Sequence, residues 1–340
     1  MMASNRCALL NPETDPPAIL HRTDERNVLH RALTDPTQHL YLHGPRGTGK
    51  TLLVRDALDA CAPAFHYLSC IPHDTQYKVL AELYARITDT DLSPGYHTAQ
   101  LQQRLAQALH DTRIIVLDDL AFLLVNDGSD LLYFLSRLHR QTDLHIIGIS
   151  AVHPGLTAVL DERTYSTFRP HRIALSPYTE DQVYRILEQR VDAALPSKTV
   201  DTAALEYIAA TTVNLTVALH WLACAVAQRD EITVGAVQAV EQDAVRRYRD
   251  ARLTPFTRHH KMLLAVIEHL TVDTETVTTG TVYEQYTAHC TEQGDDPLTS
   301  RRISDYLTHL ELLGLIDVTH HDGGRTGKTR EIRPVPLQDL

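Results

Sequence analysis

The eight residues Gly44–Thr51, GPRGTGKT, constrain this chain more than any other stretch. They fit the Gly-x-x-x-x-Gly-Lys-Thr phosphate loop and stand where such a loop works, after the apolar run HLYLH and before the helix-like TLLVRDALDACA. Gly44, Gly47 and Gly49 let the backbone curl between Pro45, Arg46 and Thr48, so that successive N–H groups face phosphate oxygens. A helix opening near Lys50 adds the positive end of its dipole. Lys50 is then placed to reach the β- and γ-phosphates, and the Thr51 hydroxyl to ligate Mg²⁺. The pattern predicts an ATP or ADP site with Mg²⁺.

Short apolar runs, AFHYLSC, RIIVLD and DLHIIGIS, alternate with amphipathic helical patterns around this loop. Continuous apolar strands between helices predict a parallel sheet covered on both faces, an α/β P-loop core. RIIVLDD ends its run Ile114–Leu117 on Asp118, placed to support the metal, and continues to Asp119, at the position where a Glu would polarise an attacking water and where an Asp, one methylene shorter, needs a small shift to reach it. DLHIIGIS ends at Ser150-Ala151; Ser150 has a hydroxyl to offer the same water or the terminal phosphate, and Ala151 has nothing.

After RIALSPYT, near Ser176, the strand pattern stops and helical periodicity follows, which predicts a helical lid domain. RLTPFT, Arg252–Thr257, is the joint into a third unit that reads helix, helix, helix, hairpin, a winged helix-turn-helix layout. The boundaries expected are 1–175 for the core, 176–250 for the lid and 251–340 for the winged helix. In DPLTSRRISDYLTHLELLG, helical spacing turns Ile303, Tyr306, Leu307 and Leu310 to the core. That leaves Thr299, Ser300, Arg301 and Arg302 at the exposed helix start, the part of a recognition helix that meets base edges and phosphates. The hairpin HDGGRTGKTREIR carries Arg325, Lys328, Arg330 and Arg333 against Asp322 and Glu331, and is read as a wing contacting phosphates or the minor groove.

The whole chain is acidic, with a formal net charge of −11, and it holds 27 Arg to 5 Lys and 28 Asp to 15 Glu. Two origins stay open for that bias, a cytoplasm of very high salt and a GC-rich genome. An acidic total leaves room for DNA binding, because a local basic patch decides that contact. No stretch approaches the roughly 18–20 apolar residues of a bilayer span, and the first residues lack a signal-peptide layout, so the expectation is a cytoplasmic protein without membrane partners. The five cysteines are scattered without zinc spacing and read as small buried hydrophobes. His259-His260 and His320-His321 read as surface histidines, since neighbours on a helix point about 100° apart.

Over roughly residues 17–335 the chain resembles the archaeal Orc1/Cdc6 family of replication initiators, AAA+ proteins with a C-terminal winged helix. The stretches that carry the resemblance are YLHGPRGTGKT, IIVLDDLAFLL, DLLYFLSRL, HIIGIS, FRPHRIALSPYTEDQVYRILEQRV and VTTGTVYEQYTAHCTEQGDDPLTSRRISDYLTHLELLGLIDV. The resemblance implies ATP/ADP held between an AAA+ core and its lid, and a winged helix docked on double-stranded origin DNA. It further implies the replicative MCM helicase and other Orc1/Cdc6 paralogues as partners, and DNA contacts from a helical insertion where LLVNDGSDLLYFLSRLHR stands. The acidic composition suggests a haloarchaeal paralogue. Three positions depart from the family pattern: Asp119 replaces its Glu, Ala151 its strand-tip Asn, and Thr216 its nucleotide-facing lid arginine. These departures imply that nucleotide is held well and ATP hydrolysed slowly or not at all. Arg163 lies near the place of a trans-acting arginine. An initiator-derived DNA-binding regulator and an active AAA+ motor or clamp-loader-like ATPase are the alternatives.

Overall fold

The structure, a computed structural model, describes residues 10–34, 38–61, 64–90, 95–109, 114–126, 128–151, 156–195, 199–323 and 327–336. The chain divides into two compact units, Asp15–Gln182 and Val183–Leu340, the latter together with Met1–Thr14.

The first unit runs α1 (Thr23–Thr34), β1 (Leu40–His43), α2 (Lys50–Cys61), β2 (Phe65–Ser69), α3 (Gln76–Thr88) and α4 (Thr98–Ala108). It continues through β3 (Ile114–Asp118), α5 (Ala121–Leu124), α6 (Gly128–Thr142), β4 (His145–Ser150), α7 (Leu156–Val159), α8 (Glu162–Phe168) and β5 (His171–Ala174). The five strands form one parallel sheet in the order β2-β3-β4-β1-β5. Every residue of β3 and of β4 is buried, as the unbroken apolar runs of their sequences require. Leu53, Val54, Ala57 and Leu58 of α2 recur at helical spacing and pack on Leu40, Leu42, Val116, Ile147 and Ile149. Burial of that stripe fixes α2, and with it the loop at its start, against the middle of the sheet.

The second unit contains α9 (Glu180–Ala194), which begins in the preceding unit, then β6 (Thr199–Val200), α10 (Thr202–Thr211), α11 (Leu215–Gln228), β7 (Glu231–Ile232), α12 (Val234–Ala239) and α13 (Glu241–Leu253). It ends with α14 (Arg258–Leu270), β8 (Val277–Thr278), α15 (Thr279–Gln293), α16 (Ser300–Leu312), β9 (Ile316–Gly323) and β10 (Gly327–Pro334). The helical region is not free of strands as expected: β6 and β7 pair in parallel. The helical pattern TVGAVQAVEQDAVRRYRDA, residues 233–251, which reads as one helix, is broken at Val240, whose side chain is buried at the break. Trp221, fully buried, donates its indole N–H to the Val237 carbonyl at 2.8 Å and ties α11 to α12. The three-helix-and-hairpin pattern is realised as a winged helix, with a three-stranded sheet ordered β8-β10-β9. Cys70, Cys224 and Cys290 are buried, and Cys7 lies outside the described residues. Among the described residues no cluster of three His, Cys, Asp or Glu is arranged to hold a metal ion. No helix among them is long and apolar enough to cross a membrane.

The surface reading of His260 is overturned. Its ring is 3% exposed and stacks on Tyr306 with centroids 3.8 Å apart, because α14 turns it inward toward α16. Its Nδ1 lies 3.0 Å from the Thr257 hydroxyl, and its Nε2 lies 3.2 Å from His309 Nδ1. Burial, aided by His309 and His259, lowers its pKa to about 3. In the first unit burial, aided by His139 and His145, likewise lowers the pKa of His39 to about 3. Both rings are neutral in the folded protein while an unfolded histidine takes a proton below its ordinary pKa of 6.5. Stability is therefore complete above pH 6.5 and falls as the pH drops toward 3. Acidification from pH 7 to pH 5 should cost about 2 kcal/mol for each such ring. Thermal melts at fixed salt check this: His260→Gln should remove about 2 kcal/mol of the winged-helix unit's acid loss, and an undiminished loss would refute a buried neutral His260.

Candidate nucleotide and nucleic-acid sites

β1 lies between β4 and β5, so the chain leaving it rises from inside the sheet. β5 runs on alongside: Leu175 N–H donates to the His43 carbonyl at 2.8 Å, which brings the Leu175 carbonyl over Gly44. Gly44 has φ +152°, and a Cβ there would stand 2.1 Å from the Leu175 oxygen. Gly47 and Gly49 follow at φ +73° and +83°, and a Cβ on Gly49 would sit 3.1 Å from the Tyr178 hydroxyl. Arg22 braces this overlying segment from α1's approach, donating to the Ser176 carbonyl at 2.7 Å and covering the Tyr178 ring at 4.1 Å. Within the loop, Thr48 donates to the Pro45 carbonyl at 2.9 Å. The buried Lys50 ammonium reaches the Gly44 carbonyl at 2.8 Å, the Pro45 carbonyl at 2.7 Å and Thr48 Oγ1 at 3.3 Å. Gly44–Thr51 thus forms the curled loop that its spacing predicts. Arg22, Leu175 and Tyr178, which shape it, carry no motif of their own.

At the end of β3, Asp118 Oδ2 accepts the Thr51 hydroxyl at 2.9 Å and also the Tyr67 hydroxyl. Its Oδ1 accepts the Asp119 amide at 2.8 Å. Burial, with the Asp119 charge second, raises the Asp118 pKa, and the three hydrogen bonds oppose that rise. Burial, then Asp118 beside it, also pushes the Tyr67 phenol above its ordinary value and keeps it a donor. A hydroxyl and a carboxylate side by side are hard oxygen donors, a set that fits Mg²⁺. When bound, the ion would be held by Thr51 and Asp118 and would neutralise phosphate charge. Asp119 takes a different course: its φ is +52°, and its carboxylate lies 3.9 Å from the Arg46 guanidinium of the phosphate loop. Ser150 is fully buried at the tip of β4, in register with His43, and Ala151 beyond it is half-buried. Thr216 belongs to the other unit, in the first turn of α11, where its amide donates to the cap Asn214 at 3.1 Å. Arg163 packs over the Tyr133 ring at 4.1 Å and lies 3.4 Å from Asp130.

The second candidate site is the start of α16. Thr299 caps it, accepting the Arg302 amide at 3.5 Å, and Thr299, Ser300, Arg301 and Arg302 are all exposed. Ile303, Leu307 and Leu310 are buried as expected, while Tyr306 is half-buried against His260. Arg330 lies against the helix, its guanidinium donating to Ser304 Oγ at 3.0 Å. Arg333 is spent on Asp317 through two hydrogen bonds of 3.1 and 2.9 Å. Lys328 pairs with Asp322 along the β-ladder, and its side chain, like the whole of Arg325, lies outside the described residues.

The contact over Gly44 is directly testable. Gly44→Ala should destabilise the first unit by about 2–4 kcal/mol, since a positive-φ strain is joined by a backbone clash. Gly95 has φ +110° with nothing within 4 Å of its Cβ position, so Gly95→Ala reports the strain alone. Equal losses in the two thermal denaturations would remove Leu175 from the account.

Residues 34–155 match the AAA domain family, and residues 252–338 match the CDC6 C-terminal winged helix domain. The chain is 29% identical to an ORC1-type DNA replication protein 1 of Archaeoglobus fulgidus, over 97% of this chain and 87% of that one. It is 28% identical to the protein of the same description from Sulfolobus acidocaldarius, over 98% and 90% of the two chains. In structure it is similar to the Aeropyrum pernix ORC1 protein solved in complex with DNA, with a TM-score of 0.74 and 25% identity over 97% of this chain and 93% of that one. With a phosphate loop shaped as described in one unit and a capped, arginine-headed helix in the other, the chain carries an AAA domain and a CDC6-type C-terminal winged helix domain, and it is similar over nearly its whole length to ORC1-type DNA replication proteins.

Proposed function

We propose that this protein is an ATP/ADP-binding DNA replication initiator that recognises origin duplex DNA through its winged helix, helps recruit the replicative MCM helicase, and hydrolyses ATP slowly. The observation that carries the reading is a pair of sites in one chain. Lys50, Thr51 and Asp118 converge on a curled phosphate loop, and Arg301-Arg302 stand exposed on a capped helix start. The similarity to ORC1-type replication proteins supports the initiator role. The DNA in the Aeropyrum pernix complex supports a DNA partner. Assembly on DNA with other Orc1/Cdc6 paralogues belongs to the same reading, as do an AAA+ core over 1–175, a lid over 176–250 and a winged-helix domain over 251–340.

Slow hydrolysis is supported by the three departures from the family pattern, at Asp119, Ala151 and Thr216. Asp119 is one methylene shorter than Glu, and its carboxylate is directed at Arg46 rather than left to a water. A displacement near 1 Å at this step costs about 10²-fold in rate. Ala151 adds no polar group, and Thr216 adds no charge. The acid excess and the preference for Arg over Lys support a haloarchaeal source and a cytoplasmic setting rich in salt.

Footprinting on host genomic DNA with and without ATP tests the reading as a whole, with protection of a defined duplex as the expected outcome. Arg301→Ala with Arg302→Ala should weaken binding to that site by about 1–3 kcal/mol per lost base contact. In steady-state assays Asp119→Glu should turn over ATP at least about 10-fold faster than the wild type. Rapid turnover by the native protein would favour a motor instead, and a sample with neither nucleotide nor duplex affinity would end the proposal.

A further inference from the structure

Tyr67 stands outside the loop motif and outside the aspartate strand, yet it touches both halves of the metal site. β2 and β3 pair in parallel, with Tyr67 level with Val116 and Ser69 level with Asp118. Alternate residues of a strand share one face, so Tyr67 rises on the face that carries Asp118. It starts two residues lower, a distance of about 6.5 Å that the length of a phenol spans. Its hydroxyl donates to Asp118 Oδ2, the oxygen that also accepts the Thr51 hydroxyl. Both the ring and the backbone of Tyr67 are held. Arg55, one helical turn beyond Thr51 on α2, lies 4.9 Å over the ring, and Arg86 donates to the Tyr67 carbonyl at 2.7 Å.

We propose that Tyr67 is a positioning residue for the divalent cation: it fixes Asp118 so that the Thr51 proton is committed to that carboxylate and the Thr51 lone pairs are left for the metal. The proposal rests on reading Gly44–Thr51 and Asp118 as an ATP/ADP and Mg²⁺ site. A hydroxyl has one proton and two lone pairs, so its direction is set by the acceptor that takes the proton. The acceptor here is anchored at both oxygens, by Tyr67 at Oδ2 and by the Asp119 amide at Oδ1. Without the phenol hydroxyl, Asp118 keeps one side-chain donor and swings about its own χ2, and Thr51 follows it. The phosphate-binding amides and Lys50 are untouched by that change. The consequence falls on metal and spares metal-free nucleotide.

Calorimetric titration of ADP into the full chain, in EDTA and across a MgCl₂ series, tests this. Tyr67→Phe should leave affinity in EDTA within about 2-fold of wild type and raise the MgCl₂ concentration for half the affinity gain about 10-fold, the worth of a hydrogen bond to a charged group. Arg55→Ala, a change at an exposed side chain, should shift that midpoint the same way by about 2–3-fold through the loosened ring. Unmoved midpoints in both variants would overturn the proposal, as would an equal loss in EDTA and in MgCl₂, which marks a merely structural residue. A wild-type protein with Mg²⁺-enhanced ADP binding and unaffected variants refutes Tyr67 alone. A wild type with no ADP affinity at all refutes the nucleotide reading and Tyr67 with it.

Discussion

The carbonyl of Leu175 occupies the space that any side chain at Gly44 would need, and the phosphate loop takes its shape from that contact. The parallel sheet puts it there. β5 pairs with β1 and keeps bonding one residue past its end, through the Leu175 amide and the His43 carbonyl, so the chain after β5 must cross the mouth of the loop. Arg22 and Tyr178 then hold that crossing in place. A loop that binds through its own amides can work only if its curvature is set beforehand, because ordering it at the moment of binding would cost affinity. Sheet pairing supplies this curvature, and the glycines permit it.

The two neighbouring aspartates show how position, rather than residue type, decides a role. Asp118 is buried, and a buried carboxylate persists only with partners; it has a hydroxyl from α2, a phenol from β2 and a backbone amide. Asp119 turns out of the strand in a left-handed conformation, and its carboxylate meets the cation of Arg46. The strand that buries the first acid therefore ejects the second toward the loop. The two roles proposed for these acids, metal support and water activation, would be separated by one peptide bond, and here the second acid faces the Arg46 guanidinium of the loop.

What could be read from the sequence follows from how local the cause is. β3 and β4 carry apolar runs through their middles, and the glycines and lysine of the loop sit at fixed spacing, so the core and the curl of its loop were legible. α16 was legible through its cap and its apolar spacing, down to the exposed arginines. β6, β7 and β8 were not, because two-residue strands have no periodicity and exist only through their partners. The break at Val240 joins two segments that each keep a helical pattern, so periodicity runs through it unmarked. His260 was misread for a related reason. A histidine is polar by type, and only the packing of α14 on α16 reveals that its ring lies between Tyr306 and His309. Tyr67 looked like one more apolar residue of a strand, and its hydroxyl acquires meaning only from the register that sets it below Asp118.

The charge pattern closes on the same logic of partners. In an acidic chain several arginines find a carboxylate close by, as Arg26 does with Asp56, Arg86 with Glu82, Arg249 with Glu268 and Arg333 with Asp317. Guanidinium suits this work, since its planar fork bonds a carboxylate at two points and loses less to hydration than an ammonium. Among the described residues Arg301 and Arg302 pair with no carboxylate, and they stand exposed at the start of a helix whose other face is packed on the winged-helix core. Exposed like charges side by side repel, so adjacency here brings no stability to the fold. A phosphate or a guanine edge would relieve it. Because salt weakens a phosphate contact more than a bidentate bond to a base, two arginines at the tip of a rigid, capped helix would, under the proposed function, keep their discrimination where a diffuse basic surface would lose its hold.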